Sequence, residues 1–419
     1  MSSVARPSAP PSSAPWQVAL REAYTSVAAL AADGLLPADL SEAGRRRLAR
    51  HQIRVPRALA GRFDRADLAR CPLYRQAVPW AGEDDPERLP PYATRQSLAL
   101  YGRPLPWQAD AIGDVARLAA PRLTHRYRGR ALLHVTHACA LYCRYCFRKE
   151  ILGGREPELY GGPLAEAIAY LERHDDVEEV VLTGGDPMTL PNAAWRRLLA
   201  ALDAVAHLKV VRVHTRMPAV LPERFEPELA DLLASARVRV TVACHVNHPA
   251  EWTPQARAGL DCLRRRGIGL LHQAVLLRGI NDDAETLWRL WQDAYALGVI
   301  PFSLHHPDLS PDTWGYRLGI EHGRRLMSAL AGRVSGPALP RYVLDVPGGL
   351  GKVDLMGHAV VPLAPPVVEG GVAARLWQVD LPDTREGPAA PTRQARYLDV
   401  APASASPSLA CSASRMSAT

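Results

Sequence analysis

Between residues 131 and 345, seven short runs rich in β-branched residues alternate with six amphipathic helical stretches, and this alternation restricts the fold more than any other feature of the chain. The runs are 131–136 (ALLHVT), 179–183 (EVVLT), 208–214 (LKVVRVH), 238–244 (VRVTVAC), 270–277 (LLHQAVLL), 299–304 (VIPFSL) and 341–345 (RYVLD). The helical stretches between them are 163–174, 192–206, 226–236, 254–266, 283–297 and 318–331. Strands separated by helices pair in parallel, through right-handed crossovers. Six such units in succession predict an α/β fold, an open or closed barrel.

In such barrels chemistry sits on the loops that follow the C-terminal ends of the strands. The unusual residues of this chain fall there. A cysteine cluster follows the first run, Gly184-Gly185-Asp186-Pro187 the second and Thr215-Arg216-Met217-Pro218 the third. His245-Val246-Asn247-His248-Pro249 follows the fourth, Arg278-Gly279-Ile280-Asn281-Asp282 the fifth and His305-His306-Pro307-Asp308 the sixth. The last run ends in Asp345 and leads into PGGLGK with Lys352. All of these loops are expected at one mouth.

The cysteine cluster reads Cys139-x3-Cys143-x2-Cys146, with Tyr145 before the third cysteine. A [4Fe–4S] cluster held by four cysteines is coordinatively closed, whereas one held by three leaves an iron open to a ligand. Zinc is the alternative, because Cys143-x2-Cys146 is a common half-site and His137 would complete a set of four. Structural zinc sites usually draw on a second ligand pair, and the remaining cysteines (Cys71, Cys244, Cys262 and Cys411) are scattered. Seven cysteines so distributed read as reduced thiols with one metal site, not as a disulfide framework.

At this point the chain resembles the radical S-adenosylmethionine enzymes. The cysteine spacing is similar to their signature, and TGGDPM at 183–188 is similar to their second motif. The resemblance implies a partial (β/α)6 barrel with Cys139, Cys143 and Cys146 on a [4Fe–4S] cluster. It places Gly184, Gly185 and Asp186 at the methionine end of S-adenosyl-L-methionine.

Residues from about 101 to 358 are similar, within that superfamily, to lysine 2,3-aminomutase, in the segments LTHRYRGRALLHVTHACALYCRYCFRKE, VLTGGDP, HTRMPAVLPERF, CHVNHP, QAVLLRGIND, HHPDLSPDT and LDVPGGLGK. This resemblance adds pyridoxal 5′-phosphate, with Lys352 as its anchor and catalytic lysine. It implies Arg126, Tyr127, Arg130 and Arg216 near the phosphate, and His245, Asn247 and His248 at the cofactor mouth. Arg148 would take the substrate α-carboxylate, while Asp308 and Asp345 would hold the distal ammonium of lysine. The residue types suit these roles, since a lysine amine forms Schiff bases, a guanidinium grips a carboxylate with two bonds, and a buried ammonium must be paired. The plain alternatives are a solvated lysine for Lys352, a turn cap for Asp345, and surface ion pairs for the arginines.

The implied reaction moves the α-amino group of L-lysine to the β-carbon through a 5′-deoxyadenosyl radical, with an electron from a flavodoxin- or ferredoxin-type donor and a homo-oligomeric assembly. A paralogue acting on another amino acid, or serving β-lysylation of elongation factor P, is the nearest alternative. A non-catalytic iron–sulfur or zinc protein that binds nucleic acid is the more distant one. The family's cysteine-rich C-terminal zinc segment is matched here only by Cys411, with Cys262 as the lone contributor from elsewhere, so the resemblance leaves a structural zinc and the usual assembly open. The wording HHPDLSPDT also points to a divergent branch.

Composition bears on partners and place. The chain has 419 residues, 47% of them hydrophobic, enough for one barrel-sized domain with appendages. Its net charge of +7 comes from 50 basic and 43 acidic residues spread along the chain. The densest basic runs, GRRRLARHQIR at 44–54 and RRR at 264–266, sit on helix-like segments, so nucleic acid is not expected as a partner. No run approaches the length of a membrane span and the start lacks a secretory core, which leads us to expect a cytoplasmic protein. The expected organisation is a disordered 1–15, a helical region 16–120 without a chemical signature, the barrel at 121–358, an extension at 359–381 and a disordered tail at 382–419.

Overall fold

The computed structural model describes residues 14–36, 52–80, 89–102, 110–149, 157–382 and 392–403, with positions 40, 42, 45, 46, 49, 151, 152 and 384 between them. A ten-stranded sheet follows chain order: β1 (Leu118–Ala120), β2 (Leu123–Tyr127), β3 (Arg130–Thr136), β4 (Glu179–Gly184), β5 (Val210–Thr215), β6 (Arg239–His245), β7 (Gly269–Val275), β8 (Ile300–His305), β9 (Arg341–Val346) and β10 (Gly351–Asp354). β3 to β9 are parallel, whereas β1, β2 and β10 join antiparallel at the two ends. The seven parallel strands match the seven sequence runs to within two residues at each end.

Each crossover helix turns an apolar stripe toward the sheet. In Asn192–Asp203 the buried residues are Trp195, Leu198, Leu199 and Leu202; in Ala284–Ala296 they are Leu287, Leu290, Trp291 and Ala294. Both sets follow the i, i+3, i+4, i+7 spacing that keeps side chains on one face. The second helix begins where the Asp283 carboxylate accepts from Thr286 N at 2.8 Å, satisfying a first-turn amide.

The sheet runs from β1 to β10 without closing on itself, so its two ends are joined by other contacts. Lys352 N, on β10, donates to Tyr127 Oη on β2 at 2.9 Å. Thr384 Oγ1 donates to Arg126 O at 2.8 Å, and Arg128 N donates to Thr384 O at 2.9 Å. Gly113 and Gly349 meet backbone to backbone: a Cβ on Gly113 would lie 2.3 Å from Gly349 N, and both glycines have positive φ. This seam carries Lys352 over the strand that bears Arg126 and Tyr127.

A second, antiparallel sheet comprises β11 (Val360–Pro362), β12 (Val367–Glu369), β13 (Val372–Pro382) and β14 (Thr392–Pro402). β14 corrects the expectation of a disordered tail from 382. It pairs with β13 along its whole length, from Thr392 opposite Pro382 to Pro402 opposite Val372. The low-complexity composition of the terminus obscured a short segment, RYLDV, whose Tyr397, Leu398 and Val400 are buried in the main core. Cys411 and residues 1–13 lie outside the described residues. Among the described residues no helix is long and apolar enough to cross a membrane.

The burial of β14 makes it a stability element. Leu398→Ala is expected to cost about 3 kcal/mol, the usual loss for a buried leucine, whereas Arg396→Ala on the exposed side should change stability by less than about 0.5 kcal/mol. Urea unfolding of the two variants measures the contrast; equal, small effects would leave β14 as a loosely attached tail.

Candidate active site

Three cysteines stand on the loop that leaves β3, near enough to act on one another electrostatically. Cys139, Cys143 and Cys146 are free cysteines, and burial pushes all three upward, Cys143 to about 11. Their mutual repulsion adds to the rise at Cys139, while Arg216 opposes it at Cys143 and Arg148 and Lys149 oppose it at Cys146. A cationic centre would offset that rise, and three basic side chains stand beside the cysteines. Gly185 fits this loop against β4: a Cβ there would lie 2.2 Å from Ala138 O. Asp186 is tied down, its amide donating to Ala138 O at 2.9 Å. Its carboxylate accepts from Met188 N, Thr215 Oγ1 and Arg216 N at 3.0, 2.9 and 2.8 Å. Asp186 thus orders the second and third loops around the cysteines.

Arg216 stands on the cysteine side of the mouth, away from its expected grouping with the phosphate candidates. Its Nη2 donates to Glu251 Oε1 at 2.7 Å and Gln76 Oε1 at 2.8 Å, and its guanidinium lies 5.4 Å from the Tyr145 ring centre. Tyr145 Oη is 3.3 Å from His245 Nε2, so His245 joins this cysteine-side group. Burial, with Arg216 nearby, holds His245 well below the usual histidine range and therefore neutral. Asn247 belongs to the supporting framework, where its Nδ2 donates to Gln76 Oε1 at 2.9 Å and its Oδ1 accepts from Val275 N at 2.9 Å. His248 caps the short turn after it, accepting from Ala250 N at 3.1 Å.

On the other side of the mouth the centre is Asp114, which is fully buried. It accepts from Arg148 Nε at 3.0 Å and Nη2 at 2.8 Å, and from Arg126 Nη2 at 3.2 Å. Arg148 Nη1 donates to Thr183 Oγ1 at 2.8 Å. A guanidinium has five N–H donors, so Arg148, held in place by Asp114 and Thr183, keeps an N–H on each of Nη1 and Nη2 for a further acceptor. Tyr127 receives Lys352 N from one side, while the Arg130 guanidinium covers its ring at 4.0 Å.

Lys352 reaches from β10 to Asp345 on β9, to which its Nζ is ion-paired. Asp345 also lies 3.3 Å from His305 Nδ1 and 3.8 Å from Arg126 Nη1. Lys352 and His305 hold Asp345 ionised in spite of its burial. That charge, added to burial, pushes Asp308 up to about 7. Asp345 Oδ1 is buried and, among the described residues, has no hydrogen bond. His214 is held well below the usual range, and so neutral, by desolvation and by the cations Arg212, Lys352 and Arg148, and its Nε2 has no hydrogen-bond partner among the described residues.

The geometry thus gathers Lys352, Asp345, Asp308, Arg126, Tyr127 and Arg130 at one side, the three cysteines with Arg216, His245 and Asp186 at the other, and Arg148 between the two. Sequence reasoning missed Asp114, Gln76, Glu251, Thr183 and His214. Asp114 and Gln76 also correct the view that residues 16–120 carry no chemistry; no local motif marks them, because their partners lie far along the chain.

The profile of the radical SAM superfamily matches residues 133–290, and the strand order, cysteine loop and glycine-tight second loop define that class of enzyme here. A putative L-lysine 2,3-aminomutase of Aquifex aeolicus is 38% identical over 290 residues, covering 69% of this chain and 74% of that protein. The L-lysine 2,3-aminomutase of Clostridium subterminale is 31% identical over 294 residues, covering 70% of each. That of Fusobacterium nucleatum is 33% identical over 296 residues, 71% of this chain but only 65% of the relative's length. The chain belongs to the lysine 2,3-aminomutase family, radical enzymes of the isomerase class that use a [4Fe–4S] cluster and S-adenosylmethionine and typically pyridoxal phosphate. Among solved structures, native anSMEcpe with bound AdoMet and a peptide covers 48% of this chain and 59% of its own at 12% identity, with a TM-score of 0.36, too slight a likeness to argue from.

The residues fit these groups. Three partly buried thiols flanked by Arg216, Arg148 and Lys149 suit a cluster of net negative charge. Glycines packed on glycine at the Lys352 strap let a flat cofactor approach the backbone closely. Gly185→Ala tests the first fit: its Cβ cannot be accommodated beside Ala138, so iron bound per chain after reconstitution, and the accompanying visible absorbance, should fall to background while the barrel stays folded by circular dichroism.

Proposed function

We propose that the protein is a pyridoxal-phosphate-dependent aminomutase that converts L-lysine to β-lysine. The observation that carries the substrate is the pair Asp308 and Asp345: the two carboxylates act on each other and on Lys352, Arg126 Nη1 stands off at 3.8 Å from Asp345 Oδ1, and that oxygen has no hydrogen bond among the described residues. A second ammonium, at the far end of a bound amino acid, balances that charge, and buried charges are stable only when so balanced. Arg148, with N–H groups left on Nη1 and Nη2, meets the α-carboxylate.

When bound, the cluster and S-adenosylmethionine supply a 5′-deoxyadenosyl radical, and pyridoxal phosphate supplies a carbonyl that takes up amino groups. The chain's own residues do the rest. Asp114 and Thr183 fix the direction of Arg148, Arg126 and Arg130 bring positive charge to the phosphate end, and Lys352 leaves Asp345 to serve as the anchor. The radical's electron comes from a flavodoxin- or ferredoxin-type donor.

Cluster-reconstituted protein, given S-adenosylmethionine, a reductant and L-lysine under anaerobic conditions, should form β-lysine detectable by mass spectrometry. Lys352→Ala should remove both the pyridoxal absorbance of the purified protein and the product, and Cys143→Ala should remove the product with the iron. Both chromophores without β-lysine would leave the cofactors standing and refute the substrate.

The carboxylate pair also sets a pH dependence. Asp308 is neutral below about 7 and ionised above it, and only the ionised form balances an ammonium, so kcat/KM for L-lysine should rise with pH through that region. Removing the neighbouring charge with Asp345→Asn should move the rising limb to lower pH. A profile flat between pH 6 and 8, a window spanning about 7 by an equal margin on each side, would refute the role of Asp308.

A further inference from the structure

β14 ends at the back of the loop that carries Asp308, and the contact between them is built of charge. Arg317, wholly buried, donates from Nη1 to Pro307 O at 3.0 Å and Asp308 O at 2.8 Å. From Nε it donates to Val400 O at 2.6 Å, and from Nη2 to Tyr397 Oη at 3.2 Å. One side chain therefore ties the backbone of residues 307 and 308 to that of β14. A second tie runs alongside. His306 Nε2 lies 3.4 Å from Asp399 Oδ1, while its Nδ1 pairs with Tyr342 Oη at 2.8 Å. Asp399 Oδ2 accepts from Ile320 N at 2.7 Å, the first amide of the helix Ile320–Leu330 that leads to β9 and Asp345.

We propose that Arg317 is a positioning residue for substrate recognition, and that through it β14 sets where the Asp308 carboxylate stands and hence how tightly the distal ammonium of the substrate is held. The inference rests on the reading of Asp308 as an ammonium-binding group. The physical ground is rigidity. A loop carboxylate discriminates between ligands only if its backbone is fixed, and Arg317 fixes it with charge-assisted bonds to two successive carbonyls. A guanidinium can serve four acceptors at once because its donors are splayed in a plane. A lysine ammonium at the same place has the charge without the fork. The β14 end is equally firm, because Tyr397, Leu398 and Val400 are buried in the main core.

The test compares L-lysine with L-norleucine, which has the same carbon chain without the ammonium, by calorimetric titration of the full-length, cofactor-loaded protein. Arg317→Lys should weaken L-lysine about tenfold, the worth of a lost charge-assisted contact, and leave L-norleucine unchanged. Tyr397→Phe, which deletes one hydroxyl and retains the ring, should weaken L-lysine by a smaller factor, about threefold, because the other three bonds of Arg317 remain, and serves if Arg317→Lys unfolds. Equal losses for both ligands would make Arg317 merely structural and overturn the inference. Unchanged lysine affinity in both variants, while Asp308→Asn weakens it, would overturn the brace but keep the substrate reading. Unchanged lysine affinity in Asp308→Asn itself would refute that reading and the brace together.

Discussion

A carboxylate removed from water must be met by positive charge, and Asp114 is the place where this protein commits itself most fully. Arg148 and Arg126 both turn toward it, and burial of the acid and proximity of the two cations pull in opposite directions, with the cations prevailing and holding it ionised. Arg148 leaves the cysteine loop after β3, Arg126 lies on β2, and Asp114 precedes both in the chain. One ion cluster therefore locks the pre-barrel segment, the first barrel strands and the cysteine loop into a single frame. Breaking one partner of such a set leaves an unanswered buried charge and typically costs about 3–5 kcal/mol.

The mouth divides its charge into two regions of different character. On the cysteine side, Arg216 is balanced by Glu251 and faces the thiol of Cys143. On the lysine side, Asp114 and Asp345 take the close ion pairs of Arg148, Arg126 and Lys352, and Asp308 is left near the edge of ionisation. The neutral histidines His214, His245 and His305 stand among these charged groups, each pushed down by burial first and by neighbouring cations after it. They add polarity to the cavity without adding charge, which keeps the two regions electrically distinct.

Much of this architecture was legible in the sequence. All seven parallel strands were, because β-branched runs between amphipathic helices leave few other topologies, and the loops that hold the site follow from that topology. Lys352, Asp308, Asp345, Arg126, Tyr127 and Arg148 were found by motif and do stand together. What the sequence obscured has a common cause. β1, β2, β10, β11 and β12 are antiparallel strands whose hydrophobic patterns are short, and β14 was hidden in a low-complexity surround. Gln76, Asp114 and Glu251 act through partners distant in sequence, so their roles arise only once the chain is folded. Arg216 was expected near the phosphate from the family resemblance, yet which side of the mouth it stands on depends on Glu251 and Gln76.

The placement of β14 also orders events in time. Chains emerge N-terminal end first, and their parts fold as they become available. All seven parallel strands, with Asp308 and Asp345 already at the mouth, are made before residues 392–402 exist to pair with β13. Until then Arg317 has the carbonyls of Pro307 and Asp308 to hold but neither Val400 nor Tyr397 to hold them against. The barrel and its cysteine loop can thus mature around an Asp308 loop that is not yet anchored, and the pocket acquires its finished shape as one of the last acts of folding.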